Sequence, residues 1–171
     1  MAIELTGEHL HSGERKRDFM ETYELEVSKM IKADPERVYR VLSDYQNEHP
    51  NILPKPYFSN VEVERGGIGA GTVVKVQMKV MGTVQHFRLT VSEPRPGREI
   101  HEEDPEAGIK TIFTLEPGPD RDRCQVTLKT LWQKKKGMRG LLERLLNPLI
   151  IRPIYVKELN LLEAYCEEKL T

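Results

Sequence analysis

The chain has 171 residues, a length that suits one domain with a hydrophobic core of its own. Its 26 lysines and arginines nearly balance 27 aspartates and glutamates, and the resulting net charge of -1 excludes a global attraction to nucleic acid or to an anionic membrane. Cys124 and Cys166 stand far apart, without a Cys/His cluster near either. We therefore expect no metal site, no cofactor and no disulfide, and we interpret both cysteines as buried apolar residues.

The first residues carry no sign of a regular element. Residues 1–18 are polar and charged, which predicts a loosely ordered arm before one ligand-binding domain over 19–171. The stretch from Met1 to His11 lacks a basic start followed by an apolar run, so no secretory signal is visible and a cytoplasmic protein is expected.

The chain then predicts one strand and two helical pieces. From Thr22 to Ile31, apolar residues alternate with polar ones, which is the period of a half-buried strand. Asp34 followed by Pro35 is typical of a capped helix start, and this helix should end near Tyr45. Three prolines between 49 and 56 limit the next piece to one or two helical turns.

Beyond this point the pattern predicts consecutive antiparallel hairpins. Six alternating segments are separated by short loops rich in glycine and proline: 58–65, 72–81, 83–92, 98–103, 108–116 and 123–133. Because a strand follows the glycines at 66–71, that loop is interpreted as a hairpin and not as a phosphate-binding loop, which needs a helix after it.

The last element is a long helix from about Met138 to Glu168. Its wide apolar face must be covered by the sheet, and its interspersed charges exclude a transmembrane span. Pro148 and Pro153 predict a bend or a restart between 146 and 153. A curved antiparallel sheet closed by such a helix tends to leave a cavity between them.

In this order of elements the chain resembles the START-like or helix-grip superfamily, in particular its bacterial polyketide cyclase/dehydrase and lipid-transport group, of the SRPBCC type. The resemblance spans roughly residues 22–168 and is carried by 27–39, 42–45, 69–73, 91–98 and the strand ending at Trp132. It implies an α+β helix-grip fold in which a curved antiparallel sheet of about seven strands wraps around the C-terminal helix. It also implies binding or transport of a small hydrophobic or amphipathic molecule, such as a lipid, an isoprenoid or a polyketide. No catalytic residue carries over, because this fold serves several functions.

The candidate ligand-binding residues lie on the expected inner surface and around the short second helix. At that helix, Tyr45, His49 and Tyr57 are candidates to contact a ligand, although His49 could equally bond a turn. The remaining candidates are Val76, Met78, Phe87, Leu89, Phe113, Leu128, Trp132, Leu149, Val156 and Leu159.

Two strands leave the direction of their polar side chains open. His86 and Arg88 should point outward if Phe87 and Leu89 face the cavity; placed inward, Arg88 would bind a carboxylate or phosphate. Of His101 and Glu102, one should point inward, although the acidic run around them is typical of a solvated sheet edge.

Two other functions remain open. A cyclase, aromatase or dehydrase could use His49, Tyr57 or His86, although no nucleophile motif is present. A protein-interaction module could instead use the basic patch Lys134–Lys136, for which we expect solvation or weak docking to a membrane surface or an anionic protein.

Overall fold

The fold is one seven-stranded antiparallel sheet with a long C-terminal helix, in agreement with the predicted α+β helix-grip architecture. A computed structural model describes residues 21–134 and 137–168, with the side chains of 137–147 left out, so the predicted arm at 1–18 lies outside the described residues. The elements are β1 Thr22–Ile31, α1 Pro35–Ser43, a 3-10 turn His49–Asn51, β2 Phe58–Arg65, β3 Val73–Val80, β4 Thr83–Arg95, β5 Glu99–Asp104, β6 Ile109–Pro117, β7 Cys124–Gln133 and α2 Gly137–Glu168.

The sheet order is β1-β7-β6-β5-β4-β3-β2, and every neighbouring pair is antiparallel. Five of the six pairings join strands that follow each other in sequence, as short hairpin loops require. Only β1 pairs out of order, with β7, because α1 and the 3-10 turn carry the chain from one sheet edge to the other.

Individual residues determine the turn between β3 and β4 and the start of α1. The tight turn between β3 and β4 consists of Met81 and Gly82, with φ of 48° and 78°, a left-handed pair that suits the twist of the flanking strands. At α1, the Asp34 side chain accepts hydrogen bonds from the backbone N–H of Glu36 at 2.8 Å and of Arg37 at 3.3 Å. This confirms the predicted cap.

Strand β4 is longer than predicted, because it runs to Arg95 and not to residue 92. Pro94 suggested a turn, since proline cannot donate a ladder hydrogen bond. The pairing with β5 shifts register between Ser92 and Arg95, and this irregularity lets the strand continue past the proline.

Helix α2 runs without interruption from Gly137 to Glu168, so of the predicted bend or restart between 146 and 153 the restart is wrong and the bend stays a prediction. Pro148 and Pro153 each lack one N–H donor, and the hydrogen bonds on either side are enough to keep the helix continuous. The predicted apolar face also needs correction, because Leu149 and Val156 are 74% and 41% exposed. The residues of α2 that the sheet and α1 bury follow helical spacing: Ile154, Tyr155, Glu158, Leu159, Leu162 and Cys166.

The inner face of the sheet is the one that alternation predicts. Phe87 and Leu89 point toward the core, whereas His86 and Arg88 are exposed on the other side. The Arg88 guanidinium donates two hydrogen bonds to Glu64, at 2.7 and 3.0 Å, on that outer face. Both cysteines are buried, as expected, and neither forms a disulfide within the described residues.

Candidate functional site

A cavity of about 70 Å³ lies between the inner face of the sheet and α2. This is several times the space that one water molecule needs. Strands β2, β3, β4, β6 and β7 and the segment before β2 supply an apolar lining of Leu53, Phe58, Val61, Val74, Val76, Met78, Phe87, Leu89, Ile109, Phe113 and Leu128. The polar lining consists of Tyr45, His49, Glu102, Thr111, Tyr155 and Glu158.

One cluster of polar side chains lies where α1 ends and the chain turns toward β2. The Tyr45 hydroxyl donates a 2.8 Å hydrogen bond to Oε1 of Glu102, which projects inward from β5. The imidazole of His49 stacks on the Tyr45 ring with centroids 4.6 Å apart. Burial, followed by the Glu102 charge, raises the pKa of Tyr45 well above its usual value, so this phenol keeps its proton and remains a donor.

The orientation of His49 follows from its other contact. Its Nδ1 lies 2.8 Å from the carbonyl oxygen of Leu42, and a carbonyl can only accept, so Nδ1 carries a hydrogen. The opposite nitrogen, Nε2, lies 3.8 Å from Oε1 of Glu102. His49 therefore has both roles foreseen for it, since it bonds a turn and also lines the cavity.

A second cluster of polar side chains links α2 to the sheet. The hydroxyls of Tyr155 and Thr130 are 2.8 Å apart, and those of Thr130 and Thr111 are 3.0 Å apart, which makes a buried chain of three hydroxyls. Burial raises the pKa of Tyr155 above its ordinary value. This chain fixes the position of α2 over β6 and β7, and two of its members line the cavity.

Glu158 belongs to neither of these two clusters. It lines the cavity and is only 4% exposed, yet no other described residue forms a hydrogen bond or ion pair with its carboxyl group. Burial, with the charge of Glu102 as a second cause, raises the pKa of Glu158 well above its usual range. In the ligand-free protein burial therefore favours the neutral form of this side chain, which lines the cavity.

The structure brings some of the predicted residues to this cavity and not others. Eight candidates border the cavity: Tyr45, His49, Val76, Met78, Phe87, Leu89, Phe113 and Leu128. Their contact with a ligand remains a prediction. Glu102 is the inward member of its pair on β5, whereas His101 pairs with Glu99 at 2.5 Å. The interpretation of this acidic run as a solvated edge is therefore wrong for Glu102, which is 7% exposed.

Five candidates do not border the cavity. Tyr57 is half-buried just before β2, and Trp132 stacks on Tyr23 at 5.2 Å. Leu149 and Val156 are exposed because they lie off the side of α2 that packs on the sheet, while Leu159 is buried in the core.

Sequence reasoning missed the polar residues that α2 contributes. Glu158 is one of the charges interspersed in the apolar sequence of this helix, and Tyr155 is not among the predicted candidates. Their spacing was an available signal, because Tyr155, Glu158 and Leu162 lie three and four residues apart and so share one side of a helix.

The remaining features to compare with the sequence are the basic patch, a possible metal site and a possible membrane-spanning helix. The ammonium group of Lys134 lies 3.1 Å from the carboxylate of Glu21, and the other two lysines of the basic patch lie outside the described residues. In the part of the chain that the structure describes, no group of acidic, histidine or cysteine side chains is arranged to hold a metal ion. Over the same residues, no helix combines the length and apolar character needed to cross a membrane.

The sequence model for polyketide cyclase/dehydrase and lipid-transport proteins matches residues 22–167. Among solved structures, that of the KanY protein is 29% identical, with a TM-score of 0.75 over 86% of this chain and 99% of that one. The Zhui aromatase/cyclase from Streptomyces sp. R1128 is 18% identical, with a TM-score of 0.69 over 88% of this chain and 97% of that one. A START superfamily protein from Mycobacterium smegmatis is 13% identical, with a TM-score of 0.67 over 86% and 99%. No curated protein matches the sequence significantly.

Proposed function

The chain belongs to the polyketide cyclase/dehydrase and lipid-transport family, and we propose that it binds a small amphipathic molecule in the cavity under α2. One observation carries this proposal: an apolar lining surrounds a few buried polar groups, which is the usual composition of a small-molecule site. The apolar side chains would hold the body of the ligand, and the groups around Glu102, Tyr155 and Glu158 would hold its polar end.

The gain from the apolar part alone is considerable. A ligand that buries about 150 Å² of apolar surface gains roughly 4 kcal/mol at 25 cal/mol per Å². The cost of association offsets part of this gain, so the figure is an upper limit on what the apolar part contributes to affinity. The polar groups then set which molecule binds best, because a ligand that leaves them unpaired loses affinity.

The first experiment is native mass spectrometry of the purified protein, together with analysis of a solvent extract of the denatured sample. We expect a small apolar or amphipathic molecule to copurify. A thermal-shift panel then ranks candidates, because a ligand at about 100 times its dissociation constant stabilises the fold by roughly 2.7 kcal/mol.

Two substitutions give a matched control. Val76→Phe adds volume inside the cavity, whereas Val84→Phe adds the same volume at an exposed position of β4. We expect the first to abolish ligand stabilisation and the second to preserve it. A protein that copurifies with nothing and responds to no member of the panel would contradict the binding proposal.

Catalysis by a cyclase or dehydrase mechanism is a second candidate, supported by the neutral acid Glu158 and by His49 in one cavity. Of the three residues proposed for it from sequence, His49 borders the cavity, while Tyr57 and the exposed His86 do not. Catalysis predicts that His49→Gln removes turnover of a bound polyketide while binding persists. Equal loss of both would contradict it.

Docking through Lys134–Lys136 remains a separate proposal for a membrane-surface or anionic protein partner. Reversal of the three charges should then weaken capture of anionic vesicles or of the partner.

A further inference from the structure

The polar end of the cavity contains an acid to which the described residues offer no hydrogen-bond partner. The carboxyl group of Glu158 is buried and faces the cavity, and none of the described residues donates a hydrogen bond to it. A buried polar group in this state costs free energy, and the cost disappears when a suitable group arrives. The position that a ligand's polar atom would occupy is therefore beside this carboxyl.

The other polar groups that line the cavity come from several elements. The segment after α1 supplies Tyr45 and His49, strand β5 supplies Glu102, strand β6 supplies Thr111, and α2 itself supplies Tyr155. Tyr45 already donates its proton to Glu102.

The charge of this lining has one sign. Two carboxyl groups, those of Glu102 and Glu158, share the cavity, and among the described residues no lysine or arginine lines it. The Nδ1 hydrogen of His49 is used by Leu42, so in its neutral form the ring offers the cavity only an acceptor at Nε2. The site is rich in acceptors and lacks a fixed cation.

We propose that the polar end of the ligand is a primary or secondary amine, bound as an ammonium ion between Glu158 and Glu102. This inference rests on the proposed binding function and adds the chemical class of the ligand. The ammonium donates hydrogen bonds to both carboxylates, and its positive charge offsets the repulsion from Glu102 that opposes ionisation of Glu158.

The proton balance follows directly. An amine enters from neutral water already protonated, and Glu158 must lose its proton to become the ion-pair partner. That proton goes to the buffer, so about one proton is released for each amine bound.

Other head groups fit less well. A carboxylate would bring a third acid into the cavity without a described lysine or arginine to pair with it. An alcohol could hydrogen bond to the neutral Glu158 but would bring no counter-charge for Glu102. Because hydrogen bonds to charged groups exceed neutral ones by about 1–1.5 kcal/mol, an amine should bind about tenfold more tightly than the matched alcohol.

The test uses benzylamine, benzyl alcohol and benzoate, which share one apolar ring. Binding to the full-length protein is measured by calorimetry at pH 7 in two buffers with different ionisation heats. We expect benzylamine to bind about tenfold more tightly than benzyl alcohol, benzoate to bind most weakly, and about one proton to be released with the amine alone.

Glu158→Gln is the decisive variant, because glutamine has the shape of the neutral acid already present and cannot ionise. It should bring the amine and the alcohol to within about twofold of each other and abolish proton release. Equal binding of the amine and the alcohol by the natural protein would overturn the inference and leave the binding proposal standing. An amine preference that survives the substitution would also overturn it. Failure of all three probes, with no copurified molecule, would overturn both.

Discussion

The buried acid Glu158 should make the stability of the protein depend on pH, and Glu158→Gln should remove that dependence. In the unfolded chain a glutamate loses its proton near pH 4.3. In the folded protein, burial and the nearby Glu102 charge hold the pKa of Glu158 well above this value. Between the two pKa values the unfolded state binds fewer protons, so the folded state becomes less stable as pH rises.

The size of the effect follows from this linkage. The free energy of unfolding falls by at most about 1.4 kcal/mol for each pH unit, and the fall stops when the pH passes the pKa of Glu158 in the folded protein. Across pH 5 to 7 the limit is therefore about 3 kcal/mol. This is a large part of the 5–15 kcal/mol that is typical of the free energy of unfolding of a domain. Glutamine at 158 does not ionise, so it makes no such pH-dependent contribution to the free energy of unfolding. The variant should therefore gain stability relative to the natural protein as pH rises.

The assay is urea unfolding of both proteins at pH 5, 6, 7 and 8, with the midpoint and slope recorded at each pH. Glu167→Gln is the matched control, since it removes a carboxyl from an exposed position of α2. We expect the stability difference between Glu158→Gln and the natural protein to grow with pH, and the control to show no such growth. A difference that stays constant from pH 5 to 8 would refute the reasoning, because Glu158 would then be ionised in the folded state as well.

Other expected outcomes concern packing and reactivity. Leu159→Ala should lower the free energy of unfolding by about 2–5 kcal/mol because this side chain is buried. Leu149→Ala should change it by no more than about 0.5 kcal/mol because Leu149 is 74% exposed. Urea unfolding of the two variants and of the natural protein measures both effects. Tyr155→Phe should cost about 1 kcal/mol by the same assay, since the 2.8 Å contact with Thr130 is lost; an unchanged midpoint would contradict this contribution. Because burial raises the pKa of each of the two cysteine thiols to about 11, both should resist alkylation at pH 8 until the protein unfolds, as mass spectrometry would show.

The sheet was predictable because its sequence signals are local. Alternation fixes which side of a strand is buried, and glycine or proline loops fix where most strands end, so β2 has its predicted bounds of 58–65. Strand β4 departed from prediction where a change in register at Ser92 to Arg95 overrode the turn signal of Pro94. That irregularity depends on pairing with β5, which local patterns do not report.

The helix was less predictable for a similar reason. Hydrophobicity placed Leu149 and Val156 toward the sheet, whereas both are exposed and Glu158 is buried. A scale that ranks residues by polarity treats a buried acid as a surface residue, so it assigns Glu158 to solvent. The orientation of α2 instead follows from tertiary contacts such as the hydroxyl pair of Tyr155 and Thr130.

These observations link the stability of the domain to its proposed binding role through one side chain. Glu158 lies three residues after Tyr155 and one before Leu159, so the side of α2 that holds the helix on the sheet also presents the acid to the cavity. A leucine there would bury more apolar surface and avoid the desolvation of a carboxyl group. The acid therefore makes the ligand-free fold less stable than its packing alone would allow, and a bound ammonium group would recover that free energy at the position where the fold loses it.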